Sequence, residues 1–204
     1  YNTFGDTLNS KFGFRWKPIE DLMLRGNYSE GFRAPTISNL YGGAGDSYET
    51  FADPCSIHTS ARSNPAVAAR CDAEGVPATF EQPGNGGARQ TIEPATWLSN
   101  EDLMPETSKS KTLGIVYSPQ WIEGLNVSLD WWNIQIENAI TRPEAQFILD
   151  KCYAGTSAES AAYCGYIERD PAYPGNPYII TRLDMPMLNL AEYDVEGYDL
   201  SARY

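Results

Sequence analysis

The sequence predicts an all-β fold: a segment of an antiparallel transmembrane β-barrel, about five strands joined in part by two long loops. Three observations predict it. Five stretches alternate apolar and polar residues with period two, the spacing of a strand whose two faces meet different surroundings. The connections between them run short, long, short, long, as expected of a membrane barrel with tight turns on one side and long loops on the other. Aromatic residues, 12% of the chain and including 13 Tyr, gather toward the strand ends, where membrane interfaces favour them.

The first strand spans 10–17, with Phe12, Phe14 and Trp16 on one face and Lys11, Arg15 and Lys17 on the other. Pro18-Ile19-Glu20-Asp21 turns the chain. The second strand, 22–33, carries Leu22, Leu24, Gly26, Tyr28 and Phe32 on its even face, with Glu30 the exception. Arg25, Asn27, Ser29 and Arg33 occupy the odd face, with Met23 the exception. The strand stops at Gly31-Phe32-Arg33-Ala34-Pro35, because proline has no N–H to give a sheet ladder. The loop 35–107 follows, with one helical turn expected over Thr36–Leu40 and little other regular structure. In the third strand, 108–118, Leu113, Ile115 and Tyr117 oppose Ser110, Thr112 and Gly114, and Val116 breaks the polar face. A short turn, 119–124, leads to the fourth strand, 125–138, where Leu125, Val127, Leu129 and Trp131 oppose Asn126, Ser128 and Asp130. The phase inverts at Trp131-Trp132, since Ile134 and Ile136 are apolar on the even face; a bulge or an exit from the apolar layer would cause that. In the second loop, 139–190, Pro143–Lys151 reads as a short helix with Thr141 as its cap and Pro143 in its first turn. The last strand, 193–204, sets Tyr198, Leu200, Ala202 and Tyr204 against Asp199, Ser201 and Arg203.

Orientation follows if the short turns 18–21 and 119–124 are periplasmic and the two long loops extracellular. Trp16, Tyr117, Trp121 and Tyr204 then fall at the inner interface and Tyr28, Phe32, Trp131 and Trp132 at the outer one. No run approaches the eighteen or so apolar residues of a membrane helix. The mean hydropathy of −0.43 says nothing against a barrel, whose apolar residues stand at alternate positions. With 15 Lys and Arg against 27 Asp and Glu, a net charge of −12, the chain is not expected to bind nucleic acid.

The four cysteines form two local pairs, Cys55 with Cys71 and Cys152 with Cys164, which read as disulfides of an oxidising compartment. A metal site is not expected: zinc needs tightly spaced ligands or more histidine than the single His58. No catalytic set is visible either. His58 has no G-x-S-x-G elbow to serve, so neither enzymatic activity nor a cofactor is expected. Gly42-Gly-Ala-Gly45 and Gly84-Asn-Gly-Gly87 are read as loop glycines rather than phosphate cradles.

"YSEGFRAPTISNLY" (28–41) resembles the barrel motif of TonB-dependent outer-membrane receptors. "FGFRWKPIEDLMLRGNYSEGFRAP", "LMPETSKSKTLGIVYSP" (103–119) and "GLNVSLDWWNIQIENAI" (124–140) are similar in order, and "YDVEGYDLSARY" resembles the family's Gly-Val-Glu or Gly-Val-Asp strand opening. The resemblance implies a barrel of about 22 strands with an N-terminal plug and a TonB box. Neither plug nor box is in these residues, and about five strands cannot close a barrel, so a middle-to-late barrel fragment is expected. It implies energised uptake of a scarce nutrient of the saccharide, peptide, siderophore or cobalamin class across the Gram-negative outer membrane. The implied partners are the rest of the barrel and its plug, the TonB complex through the N-terminal part, and outer-membrane lipid and lipopolysaccharide.

Among loop residues, Tyr48, Phe51, Trp97, Tyr153, Tyr163 and Tyr166 are candidates to stack on a ligand, with packing of the loops as the alternative role. Arg25, Asn27, Arg33 and Asp130 are candidates to face the lumen and touch the plug or a passing solute. Lys109 and Lys111, on the opposite phase, suit lipopolysaccharide phosphates. Residues 36–107 carry ten Asp or Glu against Arg62, Arg70 and Arg89, which disfavours anionic cargo at this face. A secreted glycan-binding or adhesive β-domain with disulfide-stapled loops is the alternative reading.

Overall fold

The computed structural model describes residues 4–83 and 94–204, and Gly84–Gly87 lie outside them. In chain order the elements are β1 (Lys11–Ile19), β2 (Leu22–Arg33), α1 (Ile37–Tyr41), β3 (Ala44–Ser47), α2 (Pro65–Ala73), β4 (Ala95–Leu98), β5 (Glu106–Tyr117) and β6 (Asn126–Thr141). They continue with α3 (Ala145–Ala154), α4 (Ser157–Tyr163), β7 (Ile167–Asp170), β8 (Ile179–Pro186) and β9 (Leu188–Arg203). The chain divides into two units, one of residues 1–36, 102–141 and 189–204, the other of 37–101 and 142–188.

The first unit is an open five-stranded sheet in the order β1-β2-β5-β6-β9. β2 pairs antiparallel with β5 without interruption from Leu22↔Tyr117 to Arg33↔Glu106. β5 pairs with β6 from Tyr117↔Val127 to Thr107↔Glu137. These registers build rows across four strands. Trp16, Leu24, Ile115 and Leu129 share one row, and Phe14, Gly26, Leu113 and Trp131 another. Between them runs Arg15, Arg25, Gly114 and Asp130 on the opposite face. The period-two pattern therefore becomes one apolar and one polar face, and the apolar face is uncovered: Leu113 is 53% exposed and Phe14 55%.

Strand limits differ from expectation where turn chemistry misled. Pro18 and Ile19 belong to β1, and only Glu20-Asp21 turns. Proline is tolerated there because β1 is an edge strand and its register shifts between Trp16 and Ile19. β6 runs on to Thr141 and β9 begins at Leu188, so the loops are shorter than read. No bulge interrupts the β5–β6 register at Trp131-Trp132. The apolar layer ends there instead. On its face Asn133 and Gln135 follow Trp131, and both donate to Asp194 (2.6 and 3.0 Å). On the other face Trp132 lies against Gly197, where an added Cβ would stand 2.6 Å from the indole.

The second unit overturns the expectation of irregular loops. Its strands form a second sheet in the order β3-β4-β8-β7, with β4 and β8 parallel. α2 begins at Pro65 with Asn64 as cap, its side chain accepting from the Ala66 N–H (2.9 Å). α3 starts two residues later than predicted: Glu144, not Thr141, holds the cap position, and Thr141 ends β6. α4 opens on a reciprocal capping box between Thr156 and Glu159. The buried core joins Ile148, Leu149 and Tyr153 of α3 to Ile180, Leu183 and Met185 of β8 and to Phe51 and Phe80. Both disulfides, Cys55–Cys71 and Cys152–Cys164, bond as paired, and Cys55, Cys71 and Cys152 lie within that core.

Candidate functional site

The polar face of the five-stranded sheet brings the four predicted lumen residues into two hydrogen-bonded rows and an ion pair at the strand ends. Arg25 on β2 donates to both oxygens of Asp130 on β6 (2.9 and 2.6 Å), reaching across β5 at Gly114. A Cβ at 114 would stand 1.9 Å from Asp130 Oδ1 and 3.0 Å from Arg25 Nε, so only glycine lets the pair close. In the next row Asn27 donates to Thr112 Oγ1 (3.3 Å). Arg33 forks onto both oxygens of Glu106, and Glu106 Oε1 also accepts the Ile140 N–H (2.7 Å). β2, β5 and β6 are thus tied together where β2 ends. On the apolar side Lys109 is engaged by Glu137 (3.1 Å).

Sequence reasoning missed the partners of this face. Glu106 falls within the loop that the sequence predicts, and its role needs the β2–β5 register. A glycine in the middle of an otherwise regular strand was the available signal for the Arg25–Asp130 row.

In the second unit the six aromatic candidates separate. Phe51, Tyr153 and Tyr163 are buried in the core, and Tyr166 packs against it. Tyr48 is 74% exposed and Trp97 41%. The Arg142 guanidinium lies 4.8 Å over the Trp97 ring, and the indole N–H donates to Glu49 (3.2 Å).

A charged cluster that sequence reasoning did not find fixes the core. Arg169 on β7 forks onto Asp53 (2.7 and 2.6 Å) and donates to Glu74 (3.0 Å), the Tyr153 hydroxyl (2.7 Å) and the Tyr178 carbonyl (3.0 Å). Tyr178 has φ 69°, a left-handed backbone that a bulky residue holds only when its surroundings require it. Burial pulls the Arg169 guanidinium down, but the Asp53 carboxylate and the Tyr153 hydroxyl more than offset it, so its pKa lies above the ordinary value. Burial instead raises Tyr153, because it disfavours the charged phenolate. Glu159 is lowered to about 2, first by Lys151 and then by the Thr156 N–H. Asp53 and Arg169 are 116 residues apart, and no local pattern announces their pairing.

These pairs also change the charge reading of 36–107. Of its ten acids, Asp53 and Glu74 bind Arg169, Asp72 pairs with Arg62 and Glu106 with Arg33, so four are neutralised within the fold.

The family model described as TonB dependent receptor-like, beta-barrel matches residues 1–204. The chain belongs to that family. In a barrel wall of this kind one face is apolar toward lipid and the other polar toward the lumen. The fold matches a mutant of the ferric enterobactin receptor PfeA from Pseudomonas aeruginosa in complex with enterobactin, at 17% identity and TM-score 0.51 over 98% of this chain and 20% of that one. A second PfeA mutant matches at 16% identity and TM-score 0.54, again over 98% and 20%. The siderophore receptor PirA from Acinetobacter baumannii matches at 16% and 0.51, over 98% and 21%. This chain therefore spans about a fifth of the length of those receptors. No curated protein matches it.

Proposed function

We propose that this chain is a wall-and-loop portion of an outer-membrane receptor that takes up a scarce nutrient using energy delivered through TonB. One observation carries the reading. A five-stranded sheet of this family's fold turns rows of uncovered Leu, Ile, Phe and Trp to one side and hydrogen-bonded charged rows to the other. Lipid is the surrounding that makes the first face favourable, and a water-filled or plug-filled lumen the second. The short Glu20-Asp21 turn then lies on the periplasmic side, and the unit of 37–101 and 142–188 is the extracellular elaboration of the two long loops.

Within that unit Tyr48 and Trp97 are the ligand-contact residues of choice, since Phe51, Tyr153 and Tyr163 are committed to the core. The nutrient belongs to the saccharide, peptide, siderophore or cobalamin class. Anionic cargo stays within that range because Asp53, Asp72 and Glu74 of the loop unit are internally paired, and the PfeA neighbour holds enterobactin. Growth of cells carrying the full receptor on each limiting nutrient, with and without TonB, tests the reading. One nutrient should support growth only with both receptor and TonB; equal growth without TonB on every nutrient overturns it.

A further inference from the structure

We propose that the polar face of the wall carries an anion-binding transit subsite at Arg33, which takes a solute with a carboxylate on an aromatic or aliphatic body. The inference rests on the uptake reading above, which makes this face the lumen.

Arg33 and Glu106 line a cleft of ≈ 520 Å³, a size typical of small-molecule sites, together with Ser108, Ile136, Ile140 and Tyr193. The two members of the ion pair are presented unequally. The Glu106 side chain is 10% exposed and its oxygens accept from two Arg33 nitrogens and the Ile140 N–H, whereas the Arg33 side chain is 64% exposed. Two of the five guanidinium N–H groups are used on Glu106, and the Nη1 pair and one Nη2 hydrogen find no partner among the described residues. The carboxylate thus holds the guanidinium plane rigid while its positive edge stays free, the pre-organisation that suits a second carboxylate.

The cleft wall supplies the other half of the recognition. The face that carries Asp130 turns apolar at Trp132, Ile134 and Ile136, and Tyr193 stands 50% exposed on β9. Apolar surface beside a fixed cationic edge fits an amphipathic anion better than a bare ion or a neutral sugar.

The probe is the full receptor carrying Ser108→Cys, with any cysteine outside this chain replaced by serine; the four cysteines of this chain are engaged in disulfides. Its alkylation by a maleimide is timed with benzoate or with benzamide, the neutral analogue of the same shape. Benzoate should slow alkylation several-fold more than benzamide. Arg33→Gln should weaken benzoate protection about tenfold, the effect of losing a charge-assisted hydrogen bond, and Arg33→Lys, which keeps the charge, should retain part of it. If Arg33→Gln does not reach the membrane, the benzoate–benzamide contrast in unaltered Arg33 decides alone. Equal protection by both probes, or none, overturns the subsite. A thiol that is unreactive before any probe is added also overturns it, because another part of the receptor then fills the cleft. TonB-dependent growth measured on the same cells separates this failure from failure of the uptake reading.

Discussion

In the five-stranded sheet, Arg25 and Asp130 meet with side chains 41% and 24% exposed. In the loop unit, Arg169 and Asp53 meet in the same forked geometry at 7% and 2%. The chemistry is alike and the energetics are not. A solvated pair is worth at most about 1 kcal/mol, since water screens it and competes for its donors. A buried pair is different in kind: removing one partner strands a charge away from water and costs about 3–5 kcal/mol. On the uptake reading proposed above, the wall can use ion pairs as a polar lining because the strand ladder and lipid on its other face would stabilise it. The loop unit has only a small sheet of mostly four-residue strands, and holds its segments with an apolar core, two disulfides and the Arg169 cluster.

The sharpest way to break this contrast is to remove an arginine from each region of the full receptor. Arg169→Met should destabilise the loop unit by about 3–5 kcal/mol, read as lost amide-exchange protection in α3 and β8, while β5 and β6 keep theirs. Arg25→Met should change wall protection by about 1 kcal/mol or less. Equal losses would mean that the two pairs do not differ as their burial indicates.

A change in packing comes next. Gly114→Leu forces a side chain into the Arg25–Asp130 contact, where even a Cβ stands 1.9 Å from the carboxylate. The expected cost is about 1–3 kcal/mol, seen as lower folding yield of the barrel with no effect on α3 protection.

The smallest effect concerns pH. Glu159 is held at about 2 in the fold against an ordinary 4.5, so its contribution is fully present above about 4.5 and is lost as pH falls toward 2. Exchange at the start of α4 should quicken over that acid window and stay flat between neutral and mildly alkaline pH. A change confined to neutral pH would point to another group.

How much of this was legible in the sequence depends on the distance over which each feature is decided. β2 was read at its observed limits because alternation and the Pro35 stop are local. The cysteine pairs were also local, with separations of 16 and 12 residues. The second sheet was not legible: β3, β4 and β7 have four residues each, too few to display a period, and β4 finds its parallel partner some ninety residues later. The aromatic candidates failed to sort for the same reason. Tyr153 and Trp97 look alike in sequence, and only the packing of α3 buries one while leaving the other beside Arg142. The inversion at Trp131-Trp132 was visible, but choosing between a bulge and the end of the apolar layer required the register.

The central claim is that the two faces of the wall meet different solvents. A nitroxide scan of Leu113, Ile115 and Tyr117 against Thr112 and Val116, each as a single cysteine in the membrane-embedded full receptor, tests it most directly. Leu113, Ile115 and Tyr117 should be relaxed by oxygen, which concentrates in lipid, and Thr112 and Val116 should not, a strict alternation along β5. Relaxation of all five positions by a water-soluble nickel chelate, with no alternation, would contradict it.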